Sequence, residues 1–590
     1  MTAAGTSKRK HRLVCLLLVA ALAGNGWPLQ AAAQAVPAPT LAISGADDEL
    51  AANIRAVLTI TTEPCTTPLV RLQRLLPTAR SQLDDAANAL GYYHATFTTA
   101  FVSADNCWRL EITAEPGPRV LLAGINIGVS GPAEVQALFA DVLDTAALQS
   151  GQPLHHGRYE ALKAALTARA TDLGYLGARF ERANIALDLQ TDTADIDLQF
   201  DPGVRFHFGT IDVRQDGMLS EALIAGLLQV ESGDIYDSTT LSAVRRRLDN
   251  SQYFRQVRVT PQLVRLQQQE VPVAVDLELR PRHAWTSGLG FATDTGPRLR
   301  ATYQNRYLTA DGHRLQGDLA LSTVRTQLDG TYAIPLADPA RQSLNFASGY
   351  SVEDNDSFES KRYKLETSVR NETSSGLLQT AFIAFQRDDY IVDVQQDVSL
   401  LTIAGISLNK TRADNPVNPS RGWKLFAQLQ GASDVLLSDT SFVQFYSSAK
   451  HIMQLGNGRL LSRFELGATW AGLTTELPAS LRYFAGGDQS LRGYDYRALG
   501  PLNDNGEVAG GKQLIVGSIE YDHRVINNWR LAAFVDSGNA FNTFNDFEWR
   551  HSVGIGLRWL SPIGPVRVDL ARALDSGGGF RLHVTMGPDL

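Results

Sequence analysis

The sequence predicts a chain in two parts: repeated α+β units, then a transmembrane antiparallel β-barrel. Two observations carry this. Leu83, Leu90 and Tyr92 recur 83 positions later as Leu166, Leu173 and Tyr175. From Ala284 onward, helical spacing gives way to alternation of apolar and polar residues.

The 590 residues exceed one ordinary domain. Apolar residues make up 44% and charged residues 20%, the balance of an ordered chain. A formal net charge of −8 gives no basis for nucleic-acid binding. Beyond the N-terminus no apolar run reaches the roughly 18 residues of a membrane-spanning helix.

Residues 1–35 read as a signal peptide. Lys8, Arg9, Lys10 and Arg12 form its basic region, Leu13 to Ala23 its apolar stretch, and Ala33-Gln34-Ala35 a small-x-small cleavage site. Cys15 leaves with it. Cys65 and Cys107 then remain. In an oxidising compartment they are a candidate disulfide, with two free buried thiols as the alternative.

The repeat divides the next segment into units at 36–118, 119–203 and 204–283. Each carries an amphipathic helix, a bend and alternating strands. The bends are Gly91-Tyr92-Tyr93, Gly174-Tyr175-Leu176 and Gln252-Tyr253-Phe254. Leu110-Glu111-Ile112 is expected to pair with Val120-Leu121-Leu122, and Ile196-Asp197-Leu198 with Phe206-His207-Phe208. Glu115-Pro116-Gly117 and Asp201-Pro202-Gly203 supply the turns between units. In the third unit Ser238 is the expected helix cap, and Leu241, Val244 and Leu248 share a face. Arg245, Arg246 and Arg247 read as a solvated face.

Residues 284–590 form the barrel. Phe580, Leu582, Val584 and Met586 point one way, and Arg581, His583 and Thr585 the other. Val566, Val568 and Leu570 alternate with Arg567 and Asp569, whose charges argue against a dry sandwich core. Strands of about 9–11 residues allow roughly 14–18 of them. Tyr303, Tyr307, Trp423 and Trp559 are either girdle residues or ordinary strand packing. The expected first strand, Ala284 to Thr293, carries Thr286, Gly288 and Gly290. A barrel closes by pairing first and last strands, and glycine weakens a strand. The seam between Thr286, Gly288 and Gly290 and Phe580, Leu582 and Val584 is therefore expected to be weak, unless these glycines only relieve crowding at a bend.

One polar loop stands out, Phe484 to Tyr494, ending in Leu491-Arg492-Gly493-Tyr494. An Arg inside a barrel lumen is costly without a carboxylate partner. The candidates are Glu520 and Asp536, the latter within Phe534-Val535-Asp536-Ser537-Gly538.

No enzyme site emerges. Gly506 to Gly511-Lys512-Gln513 approximates a phosphate-binding loop but has Gln where Ser or Thr would hold magnesium. There is no Gly-x-Ser-x-Gly elbow. His155-His156 lacks a third ligand nearby and reads as capping or preceding a helix. Asp414 reads as a turn residue. No catalytic residue, metal site or cofactor is expected.

The loop, the Phe-x-Asp-x-Gly segment and the α+β repeats resemble the BamA-like insertase superfamily, in which POTRA repeats precede a barrel. Gly290 to Arg298, Asn415-Pro416 through Arg421-Gly422-Trp423 and the terminal Gly587-Pro588-Asp589-Leu590 are most similar to its TamA branch, the outer-membrane subunits of the translocation and assembly module. Three α+β units and no obvious plug helix favour that branch over one with five units or one with two. The resemblance implies periplasmic POTRA repeats and about 16 barrel strands, in the outer membrane of a Gram-negative bacterium. It implies a non-enzymatic assembly factor for β-rich proteins such as autotransporters. Its partners would be a TamB-like inner-membrane-anchored protein, unfolded β-barrel clients and membrane lipid, with no nucleic acid. A two-partner-type secretion pore and a passive tether between membranes are the alternatives. Arg492 would be the Arg of an inward-folded loop held by Asp536 and Glu520, with Gly538 beside them. A client strand would add to the opened seam.

Overall fold

The computed structural model describes residues 38–590 except 105–106, 216, 218, 266–267, 393–394, 473, 475–476, 562–563, 576–578 and 588–590. The expected signal peptide, residues 1–35, lies outside the described residues, and so do Pro588, Asp589 and Leu590 of the terminal motif. The described residues form two compact units. One runs to Ala170 and includes Gly177–Gly203; the other comprises Thr171–Leu176 and Val204–Leu590.

Three small sheets share one plan. In the first, β1 (Thr40–Ser44) precedes α1 (Asp48–Val57) and α2 (Leu69–Asn88), then β2 (Thr96–Ala104) and β3 (Cys107–Glu115) follow. β3 is central, parallel to β1 and antiparallel to β2. The second has β4 (Leu121–Val129), α3 (Ala133–Ala137), α4 (Ala140–Asp144), α5 (His156–Asp172), β5 (Arg179–Asp188) and β6 (Thr193–Asp201). The third has β7 (His207–Arg214), α6 (Glu221–Leu228), α7 (Ser238–Asn250), β8 (Phe254–Pro261) and β9 (Glu270–Leu279). Alternation explains the packing: Leu110, Ile112 and Ala114 of β3 are buried with Leu50, Ile54 and Leu83 of the helices.

The strand pairs expected across the Pro-Gly turns do not form. Leu110 pairs with Leu41 and Phe101, and Leu122 with Ala194. Ile196 pairs with Ile125 and Ile185, and Phe208 with Val271. The Pro-Gly segments are links between units, and the strand after each opens the next sheet. Proximity in sequence misled because each central strand takes its parallel partner from the start of its own unit.

Two details of α7 also differ from expectation. Asp237 is the cap, accepting from Thr240 N at 2.7 Å, while Ser238 Oγ donates to Asp172 at 2.8 Å. Arg247 is half-buried rather than solvated. Its Nε donates to the Leu227 carbonyl at 3.2 Å and its Nη2 to that of Leu228. It thereby satisfies carbonyls at the end of α6 that lack helical partners.

Sixteen antiparallel strands, from β10 (His283–Ala292) to β25 (Phe580–Met586), close into a barrel in chain order. Outward positions are apolar and exposed, among them Leu365, Ile383, Phe385, Ile406, Trp470, Ile519 and Ile555. Inward positions carry Ser360, Gln386, Asp388, Glu520 and Asp569. Apolar-out and polar-in is what a barrel in lipid requires. Tyr303 packs on Trp285 at 4.6 Å, and Trp559 stacks on Trp529 at 5.7 Å. Trp423 lies 5.7 Å from the Lys410 ammonium. Tyr307 is not a girdle residue: it is buried in the third unit's core, with its hydroxyl donating to Arg280 O at 2.8 Å.

The third unit is joined to barrel turns by polar bonds. Tyr253 Oη donates to Gly312 O at 2.7 Å, and Ser220 N to Ala310 O at 2.9 Å. This fixes which end of the barrel faces the third α+β unit.

Candidate functional site

The polar loop joins β20 (Gly458–Ala471) to β21 (Gln513–Ile526) and lies against the inner wall. Its fold is set by backbone. Ala485 and Leu499 exchange two hydrogen bonds of 2.9 Å, and Ser490 N donates to Gly487 O at 3.0 Å. Gly486 and Gly487 both have φ of 102°. A Cβ on Gly486 would sit 2.4 Å from Asp495 O, so only glycine fits there. Leu491 is fully buried beside Ala485, Leu514 and Val516, an apolar foot in a polar lumen.

Arg492 is buried among three carboxylates. Its Nε and Nη2 both bond Asp536 on β22 (Trp529–Phe541) at 2.8 Å. Its Nη1 reaches Glu520 on β21 at 2.7 Å and Asp569 on β24 (Gly564–Ala573) at 3.2 Å. Its own N–H donates to Asp536 Oδ2 at 3.0 Å. Arg558 on β23 (Arg550–Ser561) donates to Glu520 Oε1 at 2.9 and 2.8 Å and to Asp569 Oδ1 at 2.6 Å. Ser518 Oγ donates to Asp536 at 2.5 Å. Every charge in this cluster has a bonded partner, as buried charges require.

Sequence reasoning named Arg492, Glu520 and Asp536, which meet. It named Asp569 as an inner-face charge and Phe534 as part of the Asp536 segment without joining either to Arg492, and it missed Arg558 and Ser518. Gly493 has φ of 94°, and a Cβ there would lie 3.0 Å from Ala573 N. Tyr494 Oη bonds His551 O at 3.2 Å and Asp575 at 3.1 Å. Gly538 lies on β22 with φ of 149°, where a Cβ would meet Ile515 O at 2.1 Å.

The seam is the second feature. β10 pairs with β11 (Gly296–Asn305) along its whole length, from His283↔Asn305 to Ala292↔Gly296. With β25 it forms a single registered pair, Ala292↔Thr585. Two further bonds adjoin it: Thr293 N to Val584 O at 3.2 Å, and Val584 N to Thr293 Oγ1 at 3.0 Å. Thr286, Gly288 and Gly290 face no described residue of β25 in register. Phe580 and Leu582 lie beyond the contact and are exposed on the outer wall. The sequence placed these two groups opposite one another; barrel stagger offsets them instead. From His283 to Phe291 the outer edge of β10 therefore has no registered strand partner among the described residues.

Other expected features fall elsewhere. Cys65 and Cys107 are joined as a disulfide. His155 Nδ1 accepts from Arg158 N at 3.4 Å at the start of α5, and His156 bonds the Tyr93 hydroxyl at 2.6 Å. Burial holds the His156 imidazole below its ordinary pKa. Asp414 accepts from Ser420 N at 2.9 Å within a turn. Gly506 sits at a hairpin tip with φ of 83°, not between a strand and a helix. Among the described residues no group of three or more His, Cys, Asp or Glu could hold a metal ion.

Residues 288–587 match the Omp85 superfamily domain, and residues 40–116 match the POTRA domain TamA domain 1. The outer membrane protein assembly factor BamA of Nitratidesulfovibrio vulgaris is 23% identical over 60% of this chain and 47% of its own length. BamA of Neorickettsia risticii is 21% identical over 64% of this chain and 54% of its own. The chain thus spans about half the length of the curated relatives it matches. The crystal structure of Haemophilus ducreyi BamA lacking POTRA domains 1–3 superposes with a TM-score of 0.64 at 17% identity, covering 79% of this chain and 99% of that one. That likeness is one of fold. The barrel and the POTRA match make this an outer-membrane protein with periplasmic POTRA units. With more than half of its length matched by one domain family, the chain belongs to the Omp85 superfamily.

Proposed function

We propose that this protein is a TamA-type assembly factor that inserts β-rich clients, such as autotransporters, into the outer membrane by strand addition at the seam. The observation that carries this reading is the edge of β10, which pairs with β25 at one registered position among the described residues. An unpaired strand edge is a template for another strand, and lipid makes leaving it unpaired costly. An incoming client strand would satisfy those groups without any chemical step. The Arg492 cluster would hold the loop against β21, β22 and β24, and so fix the wall next to the seam. The match of residues 40–116 to a TamA POTRA domain supports that branch. On this reading the α+β units receive clients and dock a TamB-like inner-membrane-anchored protein.

The test is a covalent lock. Ala292→Cys with Thr585→Cys would bridge the one registered pair of the seam. Locked protein should lose client assembly and regain it on reduction. Unchanged assembly by locked protein would rule out opening at this seam. Client adducts confined to lumen-facing positions would favour secretion through the barrel.

A further inference from the structure

We infer that Asp488 is a latch across the seam, a positioning residue that ties the luminal loop to both barrel edges at once. The inference rests on the strand-addition reading and concerns how the seam is held shut.

Asp488 belongs to the loop, and its side chain is wholly buried. On the first-strand side, Thr293 Oγ1 donates to its two carboxylate oxygens at 3.2 and 3.3 Å. Asp294 N donates to it at 3.4 Å, and Asp488 N returns a bond of 3.1 Å to Asp294 Oδ2. On the last-strand side it bonds His583 Nδ1, whose ring is also buried. The tautomer follows from the ring's other nitrogen. Gly493 N donates to His583 Nε2 at 2.8 Å, so Nε2 accepts and Nδ1 carries the proton given to Asp488.

The position of this carboxylate is what matters. Among the described residues the seam is bonded at Ala292 and Thr293 with Val584 and Thr585. Asp488 sits at that spot. Thr293 Oγ1 accepts from Val584 N and donates to Asp488, so one hydroxyl joins the seam bond to the loop. Separating β10 from β25 must therefore break either the Thr293 or the His583 bond to Asp488. A strand arriving at the seam has to displace this latch, while Arg492, bound to β21, β22 and β24, keeps the loop in the lumen.

The test uses the full chain in lipid nanodiscs without client, with spin labels at Ser287→Cys on β10 and Leu582→Cys on β25, both facing outward. Their separation is read by double electron–electron resonance. Asp488→Asn should shift the distribution outward by about one strand spacing, roughly 5 Å. Thr293→Val, nearly isosteric, should shift it the same way and serves if Asp488→Asn does not fold. The control is Asp495→Asn, which removes an exposed ion pair to Arg581 on the last strand without touching the first. It should leave the distance unchanged. An unshifted distance in Asp488→Asn or Thr293→Val, or an equal shift in Asp495→Asn, would overturn the latch. None of these results bears on whether clients bind the edge, which crosslinking from β10 in cells decides separately.

Discussion

The Arg492 guanidinium carbon lies 3.3 Å from the centroid of the Phe534 ring. Phe534 and Asp536 are two apart on β22, so both face the lumen and hold the same arginine, one by its ring and one by its carboxylate. The planar fork of arginine meets Asp536 through two nitrogens and turns the third to Glu520 and Asp569.

Arg492→Ala removes the cation bonded to the buried Asp536, which keeps the Ser518 hydroxyl, while Glu520 and Asp569 keep Arg558. It should destabilise the barrel by about 3–5 kcal/mol, the usual result of breaking a buried ion pair from one side. Arg492→Lys should be intermediate, since an ammonium keeps the charge but not the fork. Urea titration of the protein folded in lipid vesicles reads both. A loss under 1 kcal/mol (about the median of an exposed pair) for Arg492→Ala would contradict the geometry.

Reversing the pair, with Arg492→Asp and Asp536→Arg together, should not rescue function. The new carboxylate would face Glu520 and Asp569, which the native arginine also serves. Client assembly in cells measures this. Rescue to near the native level would mean that Asp536 alone matters to Arg492.

In the first α+β unit, Asp47 caps α1 by accepting from Leu50 N at 2.7 Å, and Tyr92 donates to its other oxygen at 2.7 Å. The backbone bond from Leu50, then the Tyr92 hydroxyl, hold its pKa below the ordinary 3.8. A carboxylate with a lowered folded pKa stabilises fully above its unfolded value. That stabilisation fades as pH falls below 3.8 and through the folded value. Asp47→Asn should therefore flatten the acid limb of this unit's stability curve, and Asp47→Ala should cost about 1 kcal/mol at neutral pH. Amide exchange across α1 as a function of pH reads both. An acid limb identical in Asp47→Asn and the native protein would contradict the assignment.

Cys65 and Cys107 close a loop with a sequence separation of 42. Replacing both with serine should lower this unit's stability by about 2–4 kcal/mol. The barrel strands should keep their amide protection, since neither cysteine lies in that unit. Equal loss of protection in both would contradict that separation.

Much of this was legible in sequence because burial leaves a periodic mark. Alternation placed Val568 and Leu570 outward and Asp569 inward, and the Leu-Arg-Gly-Tyr loop announced a buried cation. Nothing in the spacing joined Asp569 to Arg492, 77 positions earlier, since strand stagger alone brings them together. Arg558 was illegible for the same reason. Arg247 read as solvated because a triplet of arginines hides which one turns inward. The seam failed differently: its residues were named, but their register depends on the shear of the closed barrel, which no local pattern encodes.

The central claim is that the open edge of β10 receives client strands. Its most direct test is in-cell photo-crosslinking from a probe at Thr286. The account predicts adducts with newly made outer-membrane β-strands at Thr286, lost when Ala292 and Thr585 are locked by the engineered disulfide. An absence of such adducts, with client crosslinks arising only from lumen-facing controls, would contradict it.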